Sequence, residues 1–318
     1  LSPIPDMRTR LAGLELDNPI MAAAGCAGTG RELARFFDIA RLGAVATKSV
    51  TLEPRAGRPA PRMSESPSGM VGAVGLQGPG IEVFLQRDLP WLQSQGGTAV
   101  VSVAGSGPDE YADVARRLTA AAGAAMIEVN LSCPDPAAQG RDFADVPAEA
   151  ARVVRAVRGA AEDGVPVFAK LAADAADPVA LAEACVEAGA DGLSMVNCLR
   201  GMAVDPVTLR PAPAGGVGGV SGPAIRPIAV GCVYRTRAAL PEVPLIGMGG
   251  VQTGADALEF LAAGASAVAV GTMNFADPSA CVRILRELQQ LLEERGVDRV
   301  GDVVGAAHRP TGAAVPGR

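Results

Sequence analysis

The chain has 318 residues, of which 49% are hydrophobic, 19% charged and 3% aromatic, with a formal net charge of −6. It is apolar enough to bury a large core, and too acidic and ring-poor for a nucleic-acid stacking surface or a general polyanion binder. Its six cysteines are dispersed with no C-x-x-C pair, which excludes an obvious zinc or iron–sulfur site, and no apolar run approaches the roughly 18 residues that cross a membrane.

Taken in chain order, short apolar runs at 18–24, 44–48, 98–103, 125–130, 166–170, 191–197, 243–248 and 266–271 predict eight β-strands. Four of these follow a Gly-Ala step, at Gly43-Ala44, Gly123-Ala124, Gly189-Ala190 and Gly264-Ala265. Glycine there suits a left-handed residue just past a helix, and a run rich in Val, Ile and Met suits a strand buried on both faces. Helical spacing precedes the steps, as in Val179, Leu181, Cys185 and Val186. Eight such alternations over about 250 residues describe a (β/α)8 TIM barrel. An open doubly wound sheet is the alternative; the count of eight and the lack of a G-x-G-x-x-G turn after the first strand favour the barrel. Residues 1–304 are read as one domain and 305–318 as a mobile tail. The long connections 49–80, 131–147 and 198–223 read as irregular, and all follow strands. They are expected on the C-terminal face, where such barrels keep their chemistry.

Lysine occurs only at Lys48 and Lys170, against 26 arginines, and each closes a predicted strand. A compact ammonium differs from a broad guanidinium in a tight pocket, so these two positions point to function rather than to strand ends reaching solvent. Two of four asparagines, Asn130 and Asn197, close strands in the same way. Gly247-Met248-Gly249-Gly250-Val251 follows the seventh strand and Gly271-Thr272 the eighth. Glycines there let backbone N–H groups approach a phosphate. Cys133, in Asn130-Leu131-Ser132-Cys133-Pro134, lies in a loop at the predicted barrel mouth, where a thiol can serve as a general base. The single histidine, His308, lies in the tail, so histidine base chemistry is not expected. Free thiols and the lack of a signal-peptide pattern predict a cytoplasmic protein.

Several segments together resemble class 1 dihydroorotate dehydrogenases, and among them the type B catalytic subunit. They are Asn-Leu-Ser-Cys-Pro at 130–134, Gly-Leu-Ser-Met-Val-Asn at 192–197, Gly219 to Pro227, Gly-Met-Gly-Gly-Val at 247–251, and 263–272; the likeness runs from about Leu11 to Arg299. It implies an FMN-containing barrel that oxidises (S)-dihydroorotate to orotate in pyrimidine synthesis. Cys133 would remove the C5 proton while C6 delivers hydride to the flavin. Lys170 would support the reduced ring, and Lys48 would lie between flavin and substrate, facing the substrate carboxylate. Asn130 and Asn197 would bond the pyrimidine, and Gly249, Gly250, Gly271 and Thr272 the FMN phosphate. Ala24, Ser49, Ser102, Val196 and Gly222 fall at further flavin positions, and Gly72, Ala73, Val74, Gly75, Leu76, Asp135 and Cys198 at substrate positions.

The resemblance also implies a homodimer and a separate FAD and iron–sulfur subunit that passes electrons to NAD. The sequence departs from the family pattern at Gly72 and Asp135, both usually asparagine, at Cys198, usually serine or threonine, and at Ser102, usually asparagine. The resemblance implies that the family asparagine, which Gly72 replaces here, donates to the orotate carboxylate. These changes predict weakened orotate contacts, with another cyclic amide or an unsaturated acid as the alternative substrate.

Overall fold

In a computed structural model that describes residues 4–132 and 142–310, the eight predicted strands close into one parallel barrel. They are β1 (Ile20–Ala22), β2 (Ala44–Ala46), β3 (Ala99–Val103), β4 (Met126–Asn130), β5 (Val167–Leu171), β6 (Gly192–Met195), β7 (Leu245–Met248) and β8 (Ala267–Val270). Each pairs with its sequence neighbours, and β8 closes onto β1 through Val268↔Ile20 and Val270↔Ala22. Every one of these strand residues is buried.

Side chains alternate across a strand, so the barrel has two apolar layers. Val45, Val101, Ile127, Val129 and Leu193 face the outer helices. Met21, Ala44, Val100, Met126, Phe168 and Ile246 fill the interior. The Phe168 ring lies over Gly192, where a Cβ would come within 2.3 Å of it, so only glycine fits beside this ring. A hairpin of Thr9–Leu11 and Leu14–Leu16 closes the N-terminal end by inserting Leu11 and Leu16 into the same layer.

The main outer helices span Pro108–Ala120, Pro147–Ala160, Pro178–Glu187, Arg226–Ala239, Gly254–Ala263 and Ala280–Arg295. Three begin with proline, whose missing N–H is unneeded in a first turn, and Thr253 with Asp256 forms a capping box on a fourth. Gly123, Gly189 and Gly264 take positive φ at the ends expected of them. Gly43 does not. It follows a 3₁₀ turn, and its need for glycine is steric, since a Cβ would lie 2.1 Å from the Asn18 carbonyl oxygen.

Two of the connections expected to be irregular are built into a sheet. Strands Met63–Ser66, Gly69–Gly72, Gly218–Ser221 and Leu199–Gly201 pair antiparallel in that spatial order, joining 49–80 to 198–223. The segment 133–141, with Cys133 and Asp135, lies outside the described residues. Residues 305–310 pack against the outer helices. Gly305 N–H donates to Leu261 O, His308 Nε2 lies 2.9 Å from Ala263 O, and the His308 ring stacks on Tyr234 at 4.0 Å. Residues 311–318 of the expected tail are also outside the described range. Among the described residues, no helix is long and apolar enough to cross a membrane.

Candidate functional site

The interior layer predicts which strand-end residues share the barrel mouth. Phe168 faces inward, so Lys170 does too; Val100 likewise brings in Ser102, and Met126 brings in Glu128 and Asn130. Lys170 Nζ lies 3.3 Å from Glu128 Oε1, with both side chains almost fully buried. Glu128 was not singled out in the sequence, although a carboxylate inside a doubly buried strand is itself a signal, because such charges persist only when paired.

Above this ion pair a line of hydrogen bonds crosses the mouth. Asn197 Nδ2 donates to Asn130 Oδ1 at 3.1 Å, Asn130 Nδ2 donates to Ser49 Oγ at 3.0 Å, and Ser49 Oγ lies 2.9 Å from Ser102 Oγ. Tyr111 donates from the helix layer to Asn130 O at 2.7 Å and fixes the middle of the line. Residues from β3, β4 and the ends of β2 and β6 are thereby tied together. Lys48 Nζ donates to Gly75 O at 3.2 Å.

Lys48, Ser49, Asn130 and Asn197 line a cavity of about 450 Å³ between the strand ends and the four-stranded sheet. Its walls include Ala24, Lys48, Ser49, Gly72, Ala73, Val74, Gly75, Asn130, Lys170, Asn197 and Cys198. Ser102, Val196 and Leu76 are buried beside it without lining it. A second cavity, of about 420 Å³, includes Gly222, Gly250 and Thr272, and Phe275 borders both. Gly249 and Gly271 adjoin this second cavity in sequence but do not line it.

The second cavity has the construction of an anion cradle. Among the described residues, the N–H groups of Gly250, Val251 and Thr272 have no acceptor. Gly250 has φ +76°, and a Cβ there would lie 2.7 Å from Gly222 O. On the first cavity the N–H groups of Val74 and Gly75, and that of Leu76 next to them in the chain, are likewise without an acceptor among the described residues. Backbone donors aimed into a concave space favour an anion.

One wall escaped the sequence reading. Arg200 bonds Asp145 with both terminal nitrogens and Asp174 with Nε at 3.0 Å, tying Leu199–Gly201 to the segments after β4 and β5. These two hydrogen-bonded carboxylates raise the Arg200 pKa further. Asp142, beside them, is pushed up to about 6, chiefly by burial, with Asp145 and Asp174 adding to the rise and Ala144 N–H and Arg200 opposing it. Burial also pushes the Cys26 thiol up to about 12. Cys198 is exposed only in the sense that it faces the cavity. The enclosing wall raises its pKa, against the pull of Lys170 and Lys48.

Fold and site define a (β/α)8 barrel whose C-terminal mouth joins a lysine-bearing, donor-lined cavity to a glycine anion cradle. The family model for dihydroorotate dehydrogenase matches residues 6–292. The chain is 47% identical over 299 residues to the dihydroorotate dehydrogenase B (NAD(+)) catalytic subunit of Anoxybacillus flavithermus, covering 94% of this chain and 95% of that protein. It is 47% identical over 302 residues to the Pelobacter propionicus protein of the same description, covering 95% and 98%. A crystal structure of the Eimeria tenella dihydroorotate dehydrogenase with ferulenol superposes with a TM-score of 0.81 at 23% identity, over 96% of this chain and 89% of that one. The chain belongs to the dihydroorotate dehydrogenase family.

Proposed function

We propose that this chain binds FMN and oxidises (S)-dihydroorotate to orotate in pyrimidine synthesis. The observation that carries the reading is the meeting of Lys48, Asn130, Lys170 and Asn197 in one cavity that shares its Phe275 wall with a glycine cradle. The donors suit a flavin mononucleotide. The free amides of Gly250, Val251 and Thr272 would hold its phosphate, Gly222, Gly249 and Gly271 would give the backbone close approach, and Ala24, Ser49 and Val196 would flank the ring. Bound FMN supplies the hydride acceptor.

The chain's own groups do the rest. Lys170, paired with Glu128, places an almost fully buried ammonium on the cavity wall, where it would stabilise negative charge brought near it. Lys48 and the free amides of Val74, Gly75 and Leu76 would hold the substrate carboxylate. Asn130 and Asn197 would orient the pyrimidine, with Cys198 beside them and Ser102 buttressing Ser49 from below. Cys133 would take the C5 proton. Its loop leaves β4 directly after Asn130, and Ser132 N–H donates to Asn130 Oδ1 at 3.3 Å. Asp135, in the same loop, and Gly72 would complete the substrate pocket.

The relatives are named as catalytic subunits. We infer the same organisation here: a cytoplasmic homodimer associated with an FAD and iron–sulfur subunit that delivers electrons to NAD. Adding dihydroorotate anaerobically to the purified yellow protein should bleach its flavin band, and Cys133→Ala should retain FMN but bleach slowly. A protein that takes up no FMN, or a flavin that dihydroorotate leaves oxidised, would refute the reading.

A further inference from the structure

We infer that Arg58 is a specificity-determining residue for the substrate carboxylate, acting with Lys48 from the opposite side of the 73–76 turn. This rests on the functional reading above. Arg58 is half-buried and lines the first cavity. Its Nη1 donates to Gly215 O at 3.3 Å and Val217 O at 3.2 Å, and its own N–H donates to Val74 O at 3.0 Å. The guanidinium is thereby anchored at one nitrogen. Among the described residues it has no carboxylate partner, although a guanidinium carries donors for several.

The turn between the two cations is shaped for an anion. Gly75 has φ +73°, and a Cβ there would lie 3.3 Å from Arg58 Cγ, while Lys48 Nζ reaches the Gly75 carbonyl from the barrel side. The N–H groups of Val74 and Gly75, which line the cavity at this turn, have no acceptor among the described residues. Gly72 offers no side-chain donor at the edge of this turn, and a Cβ at that position would lie 3.0 Å from Met63 Sδ. A second cation therefore supplies what residue 72 does not. Of the carboxylates on the cavity wall, Asp174 is bonded to Arg200, and the same guanidinium offsets part of the charge of Asp142. A planar guanidinium pairs with a carboxylate through two parallel donors, which gives orientation as well as charge.

The test uses the FMN-loaded protein and two probes, orotate and its carboxamide analogue, each titrated by the change in flavin absorbance. Arg58→Met should weaken orotate about 10- to 100-fold, leave the carboxamide within about twofold, and raise KM for dihydroorotate more than it lowers kcat. Gly72→Asn in the Arg58→Met background should recover part of the loss. Unchanged orotate affinity in Arg58→Met would overturn the assignment. Equal weakening of both probes would also overturn it, because that marks a damaged 215–217 segment rather than a lost charge. A wild-type protein that binds FMN yet neither binds orotate nor is bleached by dihydroorotate refutes the functional reading itself, and Arg58 falls with it.

Discussion

The Lys170–Glu128 pair should act as one energetic unit. At 3.3 Å and an effective dielectric of about 20, Coulomb attraction is roughly 5 kcal/mol. Both ions are desolvated, so much of that attraction offsets the cost of burying them, and removing one partner strands the other. Lys170→Met and Glu128→Gln should each destabilise the fold by about 3 kcal/mol, whereas the double variant should fall within about 1 kcal/mol of either single one. The double-mutant cycle then gives a coupling of about 3 kcal/mol. Urea unfolding followed by far-UV circular dichroism measures all four proteins, run with and without FMN so that ligand linkage can be subtracted. Additivity within about 0.5 kcal/mol would refute the argument. The ion pair would then contribute nothing that its separate members do not.

Two further outcomes follow from the site. Gly250→Ala forces a side chain into a φ of +76° and to within 2.7 Å of Gly222 O, so it should cost about 1–3 kcal/mol and weaken FMN at least tenfold, read by flavin fluorescence titration. Asp142 holds its proton near 6 in the folded state against an ordinary 3.8, so its ionisation penalty is absent below about pH 4, grows as pH rises to 6 and is constant above. Asp142→Asn should therefore stabilise by about 1–2 kcal/mol near pH 7.5, after allowance for solvent screening, and leave urea midpoints unchanged near pH 4.

The barrel was legible because its strands are buried on both faces, so apolar runs mark them without any need for alternation. Lys48, Asn130, Lys170 and Asn197 stood out for a related reason: polar groups closing such runs are costly unless they have work at the mouth. The four-stranded sheet was hidden. Its strands are three or four residues long, rich in glycine and serine, and only partly buried, and Gly72 meets Gly219 from a distant part of the chain. Nothing local distinguishes Met63–Ser66 from a loop. Asp142, Asp174 and Arg200 were missed because each is an ordinary surface residue type until the fold brings them together. Arg58 was one arginine among 26.

The line from Asn197 through Asn130 and Ser49 to Ser102 has a direction. An amide that donates on one side must accept on the other, so orienting Asn197 fixes Asn130, and Asn130 then offers its N–H to Ser49. Asn197 Oδ1 is already occupied by the N–H of Cys198. What it has left to show a guest is a second amide hydrogen and the other lone pair of Oδ1. The mouth thus presents donor and acceptor side by side in a fixed order, which a ring amide showing C=O next to N–H can match in one orientation only.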